Sequence, residues 1–181
     1  MTATRLVVVD MQEVFADPDG EWHVPRFDEV VEPIQALVAA HMPHVTFTRF
    51  VAPERPEGAW VAYYERFPFA FQPPDADLYA LVPPIARHAG AGTLDATTLS
   101  KWTPELARAV GAGGGLVVAG VATDSCVLAT ALAAADAGVH VRVAADACAG
   151  VDDAAHEQAL AVMRIWAPLI EVCSTSSVLA R

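Results

Sequence analysis

The chain has 181 residues, 54% of them hydrophobic and 18% charged, which excludes general disorder and is enough for one domain with a substantial core. A formal net charge of −11 argues against nucleic acid or an anionic membrane surface as partner. No apolar run reaches the roughly eighteen residues of a membrane helix, and Met1-Thr-Ala-Thr-Arg-Leu6 enters strand-like sequence without a signal-peptide pattern, so a cytoplasmic location is expected.

The elements alternate between strand and helix patterns, the signature of an α/β sheet with crossover connections. Leu6 to Val9 is wholly apolar, as expected of a parallel strand buried on both faces. Asp28 to His41 carries Val30, Val31, Ile34, Leu37 and Val38 at helical spacing, and Val45 to Phe50 reads as a second strand. The segment 52–84 breaks the pattern, holding seven of thirteen prolines and half of the fourteen aromatic residues. Trp60, Tyr63, Tyr64 and Phe67 have helical spacing within it, so it reads as a lid or binding segment, or as a surface excursion anchored by its aromatics. A short β-like stretch, Gly92 to Asp95, comes next. Gly111 to Gly115 precedes a strand rather than following one, which is the wrong context for a dinucleotide-binding turn. Leu116 to Ala119, Val139 to Ala144 and Leu169 to Cys173 read as three further strands. An alanine-rich helix is expected from Cys126 to Gly138, and another from Asp153 to Trp166 before Pro168.

Three residues stand out chemically. Cys126 lies where a strand and a tight turn (Gly120-Val-Ala-Thr-Asp-Ser-Cys126) enter a helix. Unpaired N–H groups there would lower the thiol pKa and bind a developing oxyanion, although a lone cysteine is also a common core residue. Asp10 ends the first strand, where functional groups gather in open parallel sheets; alternatively it caps the turn. Lys101 is the single lysine beside ten arginines, a bias that GC-rich coding also produces. Together Asp10, Lys101 and Cys126 would make one nucleophilic constellation. Cys126, Cys148 and Cys173 form no metal-spaced pair, and the six histidines contain no HxH or HxxxH pair, so neither metal nor cofactor is expected.

In order and spacing, Asp10-Met-Gln-Glu-Val-Phe15, Gly120-Val-Ala-Thr-Asp-Ser-Cys-Val127 and Val143-Ala-Ala-Asp-Ala-Cys-Ala149 resemble the isochorismatase-like cysteine hydrolase family along nearly the whole chain. The resemblance implies a three-layer α/β/α fold with a six-stranded parallel sheet. It also implies Asp10 as general base and acid, Cys126 as nucleophile, and a cis peptide joining Val121 to Ala122. The N–H groups of Ala122 and Cys126 would then line the oxyanion hole.

There are two departures from the family pattern. Nicotinamidase-type members carry a metal-binding D-x-H after strand two, where this chain has Arg49-Phe-Val-Ala-Pro53. The family's K-x-x-x-S-x-F, aligned on Ser100 and Trp102, puts Ala96 at the lysine position. Lys101, five residues on, either swings back into the site or the lysine role is absent. The expectation is a metal-independent hydrolase cleaving an amide or carbamoyl C–N bond of a small molecule through a thioester. Phe15, Arg49 (as an anion clamp), Trp60, Tyr64 and Trp102 are expected to meet the substrate, and a homo-oligomer is expected from the apolar composition. The alternatives are acid-catalysed cleavage of a vinyl ether by the aspartate, or a binding protein that keeps the fold.

Overall fold

The computed structural model describes residues 4–90 and 92–180. Its centre is a six-stranded, all-parallel sheet in the order β3-β2-β1-β4-β5-β6. The strands are β1 (Arg5–Val9), β2 (Val45–Phe50), β3 (Leu94–Ala96), β4 (Gly115–Val121), β5 (His140–Ala149) and β6 (Ile170–Cys173). Beyond their half-buried first residues, Arg5 and Gly115, the two middle strands β1 and β4 are uncharged and buried, because helices cover both faces of the sheet.

One layer packs α2 (Phe27–His41) and α8 (Thr175–Leu179) over a core that includes Leu6, Val8, Phe47, Val117 and Ala119. The other packs α5 (Pro104–Val110), α6 (Leu128–Asp136) and α7 (Asp153–Ile165) over Val7, Val9, Leu116, Val118 and Val143. Odd and even residues of β1 therefore serve opposite layers, as the two-residue period of a strand requires. Two helical elements flank the carboxyl ends of the strands, α1 (Glu13–Ala16) and α3 (Ala59–Arg66), while α4 (Pro83–Ala89) leads on to β3.

Strand β5 runs five residues beyond the expected Ala144. The register shifts between Val118 and Gly120, so Val143 pairs with Val118 but Cys148 pairs with Gly120, and the intervening residues bulge. Asp146 on that bulge accepts hydrogen bonds from the Thr175 N–H (2.6 Å) and hydroxyl (2.9 Å), which fixes the start of α8.

Chain order reverses between β1 and β4: β2 lies to one side of β1 and β5 to the far side of β4. A crevice opens beyond the carboxyl ends of such a pair. Asp10 and Ala122 each follow one of these two strands directly.

Candidate active site

Gly120 lets the two central strands close up at this crevice. A Cβ there would stand 2.1 Å from the Val9 carbonyl oxygen, and its φ of +118° suits glycine alone. The next peptide, Val121–Ala122, is cis. The chain then makes a single π turn, Thr123–Val127, in which the Val127 N–H bonds the Ala122 carbonyl at 3.1 Å, before α6 begins. Cys126 thus sits one turn earlier than the α-helix proper, 3% exposed.

Asp10 is the one described non-glycine residue with a positive φ, 50°, a sparsely populated conformation that tertiary contacts must hold. They do so from β2. The Thr48 hydroxyl donates to Asp10 Oδ1 at 2.6 Å, and the Asp10 N–H reaches the same hydroxyl at 3.3 Å. Gln12, two residues on, lashes the ends of β1 and β2 together. Its amide donates to the carbonyls of Phe50 (3.0 Å) and Tyr79 (2.9 Å) and accepts the Phe50 N–H (2.8 Å).

Lys101 comes from the loop after β3, not from the strand end. Its Nζ forms an ion pair with Asp10 Oδ2 at 3.0 Å, donates to the Thr98 carbonyl at 2.9 Å and lies 4.9 Å from the centroid of the Phe50 ring. Both charged side chains are fully buried. Ala96, where the family pattern has its lysine, ends β3 opposite Phe50 and is buried. The Cys126 thiol lies near enough to Asp10 and Lys101 for both charges to act on it. Asp10, Lys101 and Cys126 are therefore brought together.

The electrostatics of the thiol differ from the expectation of a depressed pKa. Burial pushes Cys126 up to about 12, the negative charge of Asp10 adds to the rise, and Lys101 opposes it. A helix start tends to lower a thiol pKa, but removal from water outweighs that here. Near neutral pH the Cys126 side chain therefore rests as a thiol.

A cleft of about 440 Å³ opens at Cys126, lined by Phe15, Trp22, Phe50, Tyr63 and Phe67 and, on the side of the π turn, by Ala122, Ser125 and Cys126 itself. Glu21, His23 and Asp124 supply polar groups to its lining. Among the five side chains expected to meet substrate, Phe15 lines the cleft. Arg49 does not: its guanidinium forks onto Asp95, which holds that carboxyl below its ordinary pKa despite partial burial. It lines a separate depression with Leu81 and Thr93. Trp60 and Tyr64 point into the packing beneath α3, where Tyr64 is 4% exposed. Trp102 packs against the α5–α6 layer, because adjacent residues of an extended segment point opposite ways and Lys101 takes the inward direction.

The principal omission from the sequence reading is Trp22. It stacks on Phe15 (6.0 Å between centroids) and meets Phe50, Tyr63, Phe67 and Phe69 within 6.0 Å. It lies in an irregular stretch with no periodicity to mark it. Tyr63 and Phe67 were visible in the helical spacing of the 52–84 segment, but so were Trp60 and Tyr64.

The end of β2 offers Phe50, Val51, Ala52 and Pro53, none of which carries a metal-ligating side chain. Among the described residues no group of three His, Cys, Asp or Glu could hold a metal ion. The donor set does not fit a metal centre of the D-x-H type.

The fold is shared with a cysteine hydrolase from Pseudomonas syringae pv. phaseolicola 1448A, with a TM-score of 0.82 and 23% identity over 98% of this chain and 91% of that one. It is shared with a zinc-bound pyrazinamidase of Pyrococcus horikoshii (TM-score 0.75, 23% identity, 96% and 99% covered). It is also shared with PnC1 from L. infantum in complex with nicotinate (0.77, 23%, 97% and 94%). At such identities these likenesses establish the fold alone. No curated protein matches the sequence. The sequence model of the Isochorismatase domain matches residues 4–177, and with the sheet order and the trio at its switch point this chain belongs to the isochorismatase family of hydrolases.

Proposed function

We propose that the protein is a metal-independent cysteine hydrolase that cleaves an amide or carbamoyl C–N bond of a small molecule carrying a planar or apolar group. The observation that carries this reading is the buried ion pair between Lys101, the single lysine of the chain, and Asp10, beside the Cys126 thiol.

Because the thiol rests protonated, attack and proton transfer are coupled. The Cys126 sulfur bonds the carbonyl carbon as its proton passes to Asp10. The N–H groups of Ala122 and Cys126 receive the oxyanion, each worth roughly 3–4 kcal/mol in the transition state. Lys101 keeps a positive charge against the carboxylate and the developing thiolate. Asp10 then returns the proton to the departing nitrogen, the C–N bond breaks, and a thioester remains. Water loses a proton to Asp10 and attacks the thioester. The C–S bond breaks, the proton goes back to sulfur, and the acid leaves. The aromatic walls contributed by Phe15, Trp22, Tyr63 and Phe67 favour a flat or apolar acyl or amine group.

The test is a panel of aromatic and aliphatic primary amides and carbamoyl compounds, with a vinyl ether included, assayed on the wild type and on Cys126→Ala. Amide or carbamoyl hydrolysis that falls about a thousandfold or more in Cys126→Ala is expected, on the scale of removing a catalytic nucleophile. Vinyl-ether cleavage that survives in Cys126→Ala would overturn the thioester reading in favour of aspartate acid catalysis.

A further inference from the structure

The lysine of this site arrives on a loop, and loops hold side chains less firmly than strand ends do. Something must therefore set where the Lys101 backbone lies. The segment's own hydrogen bonds are short-range: the Thr98 hydroxyl donates to the Ser100 carbonyl (2.9 Å), the Trp102 N–H to the Ser100 hydroxyl (3.2 Å) and the Thr103 N–H to the Lys101 carbonyl (2.8 Å). These shape the loop without locating it against the nucleophile.

Thr130 supplies a long-range tie. It lies on the first turn of α6, four residues after Cys126, and is fully buried. Its hydroxyl donates to the Cys126 carbonyl at 2.6 Å and accepts the Lys101 N–H at 2.8 Å. A threonine in a helix commonly bonds back to the carbonyl four residues earlier. With its one proton spent there, the oxygen still has lone pairs for a donor from elsewhere, and here that donor is the backbone of the catalytic lysine.

We propose that Thr130 is a positioning residue for the relocated lysine. Its hydroxyl joins the Lys101 backbone to the turn that carries Cys126, so the amine, the carboxylate and the thiol keep a fixed spacing although their three backbones belong to separate elements. The inference rests on the reading that Lys101 works with Asp10 and Cys126. Valine at position 130 would keep the shape and lose both bonds, leaving the Lys101 N–H buried without this acceptor. Serine would keep both bonds and lose a methyl group.

The experiment compares wild type, Lys101→Ala, Thr130→Val and Thr130→Ser in three readouts. These are kcat and KM on the best amide of the panel, the rate of Cys126 alkylation at fixed pH, and the rate of acylation of the Lys101 amine. The last is located by peptide mass spectrometry and is unambiguous because the chain has one lysine. Thr130→Val should lower kcat about tenfold with KM little changed, the effect of misplacing a catalytic group by a fraction of an ångström. It should expose the Lys101 amine to faster acylation and slow Cys126 alkylation in the direction of Lys101→Ala. Thr130→Ser should restore all three towards wild type. A Thr130→Val protein with wild-type kcat and a protected amine, while Lys101→Ala is impaired, would overturn the role of Thr130 alone. Wild-type kcat and alkylation in Lys101→Ala would instead overturn the reading of the trio. Should Thr130→Val not fold, Thr130→Ala takes its place: an amine acylated faster than in Thr130→Ser supports the tie, and one as protected as in the wild type overturns it.

Discussion

Replacing Lys101 by methionine isolates the charge of the buried pair. Methionine keeps a long flexible chain beside the Phe50 ring and removes the ammonium that stands 3.0 Å from Asp10 Oδ2. Both partners are fully buried, so the carboxylate left behind has no water to turn to. Removing one partner of such a pair typically costs about 3–5 kcal/mol. Oδ1 keeps its 2.6 Å bond from Thr48, which places the expected loss towards the lower end of that range. Asp10→Asn, which strands the ammonium, should cost a similar amount. The double variant Asp10→Asn/Lys101→Met leaves no charge in the site and should be far more stable than the two single losses added together. Urea denaturation of the four proteins at pH 7 gives the cycle directly. A Lys101→Met cost below about 1 kcal/mol, with the two losses adding within about 0.5 kcal/mol as independent sites do, would refute the buried pair.

Three further outcomes follow from the geometry. Cys126 and Cys148 are almost wholly buried and each is pushed up to about 12, so the folded protein holds protons that the unfolded chain releases from about pH 9 upward. Stability is therefore full below that pH and falls above it by about 1.4 kcal/mol per pH unit per thiol. Urea midpoints measured between pH 8 and 10 should show the decline, and Cys148→Ala should flatten it by one proton's share; a slope that the variant leaves unchanged would contradict the assignment. Gly120→Ala drives a Cβ into the Val9 carbonyl at 2.1 Å, and loss of the folded protein, or destabilisation above about 3 kcal/mol, is expected in thermal melts. Arg49→Ala, which opens an ion pair away from the cleft, should leave kcat/KM within about twofold and cost under about 1 kcal/mol, as partly exposed pairs do; a large rise in KM would return Arg49 to the substrate.

The centre of the sheet was legible because a parallel strand buried on both faces is written as an apolar run, and β1 was read to within one residue; β2, with polar Thr46, Thr48 and Arg49 among its residues, still spans Val45–Phe50 as read. Strand β5 was read short because its bulge interrupts the apolar run at Asp146, a polar residue whose purpose is a contact with Thr175 far along the chain. The short helices α4 and α5 begin with prolines and have too few turns to show a period.

The trio was legible in part. Asp10 and Cys126 stand at motif positions, whereas Lys101 reaches Asp10 from a loop whose backbone bonds Thr130, 29 residues further along the chain, and such a long-range contact leaves no mark in local sequence. On α3 the aromatics form two i, i+4 pairs, Trp60 with Tyr64 and Tyr63 with Phe67. Periodicity identifies both pairs equally, and only tertiary packing decides that the second pair faces the cleft while the first packs beneath the helix. The helix position of Cys126 suggested a low thiol pKa, but the degree of burial that reverses the direction is a property of the assembled fold.

The central claim is that a covalent thioester forms on Cys126. Rapid chemical quench during turnover of the best amide substrate, followed by intact and peptide mass spectrometry, tests it most directly. The account predicts a mass increase equal to the acyl group on the peptide containing Cys126, appearing before product reaches steady state and absent from Cys126→Ala. Sustained turnover with no adduct on that peptide, in a protein whose activity also survives alkylation of Cys126, would contradict it.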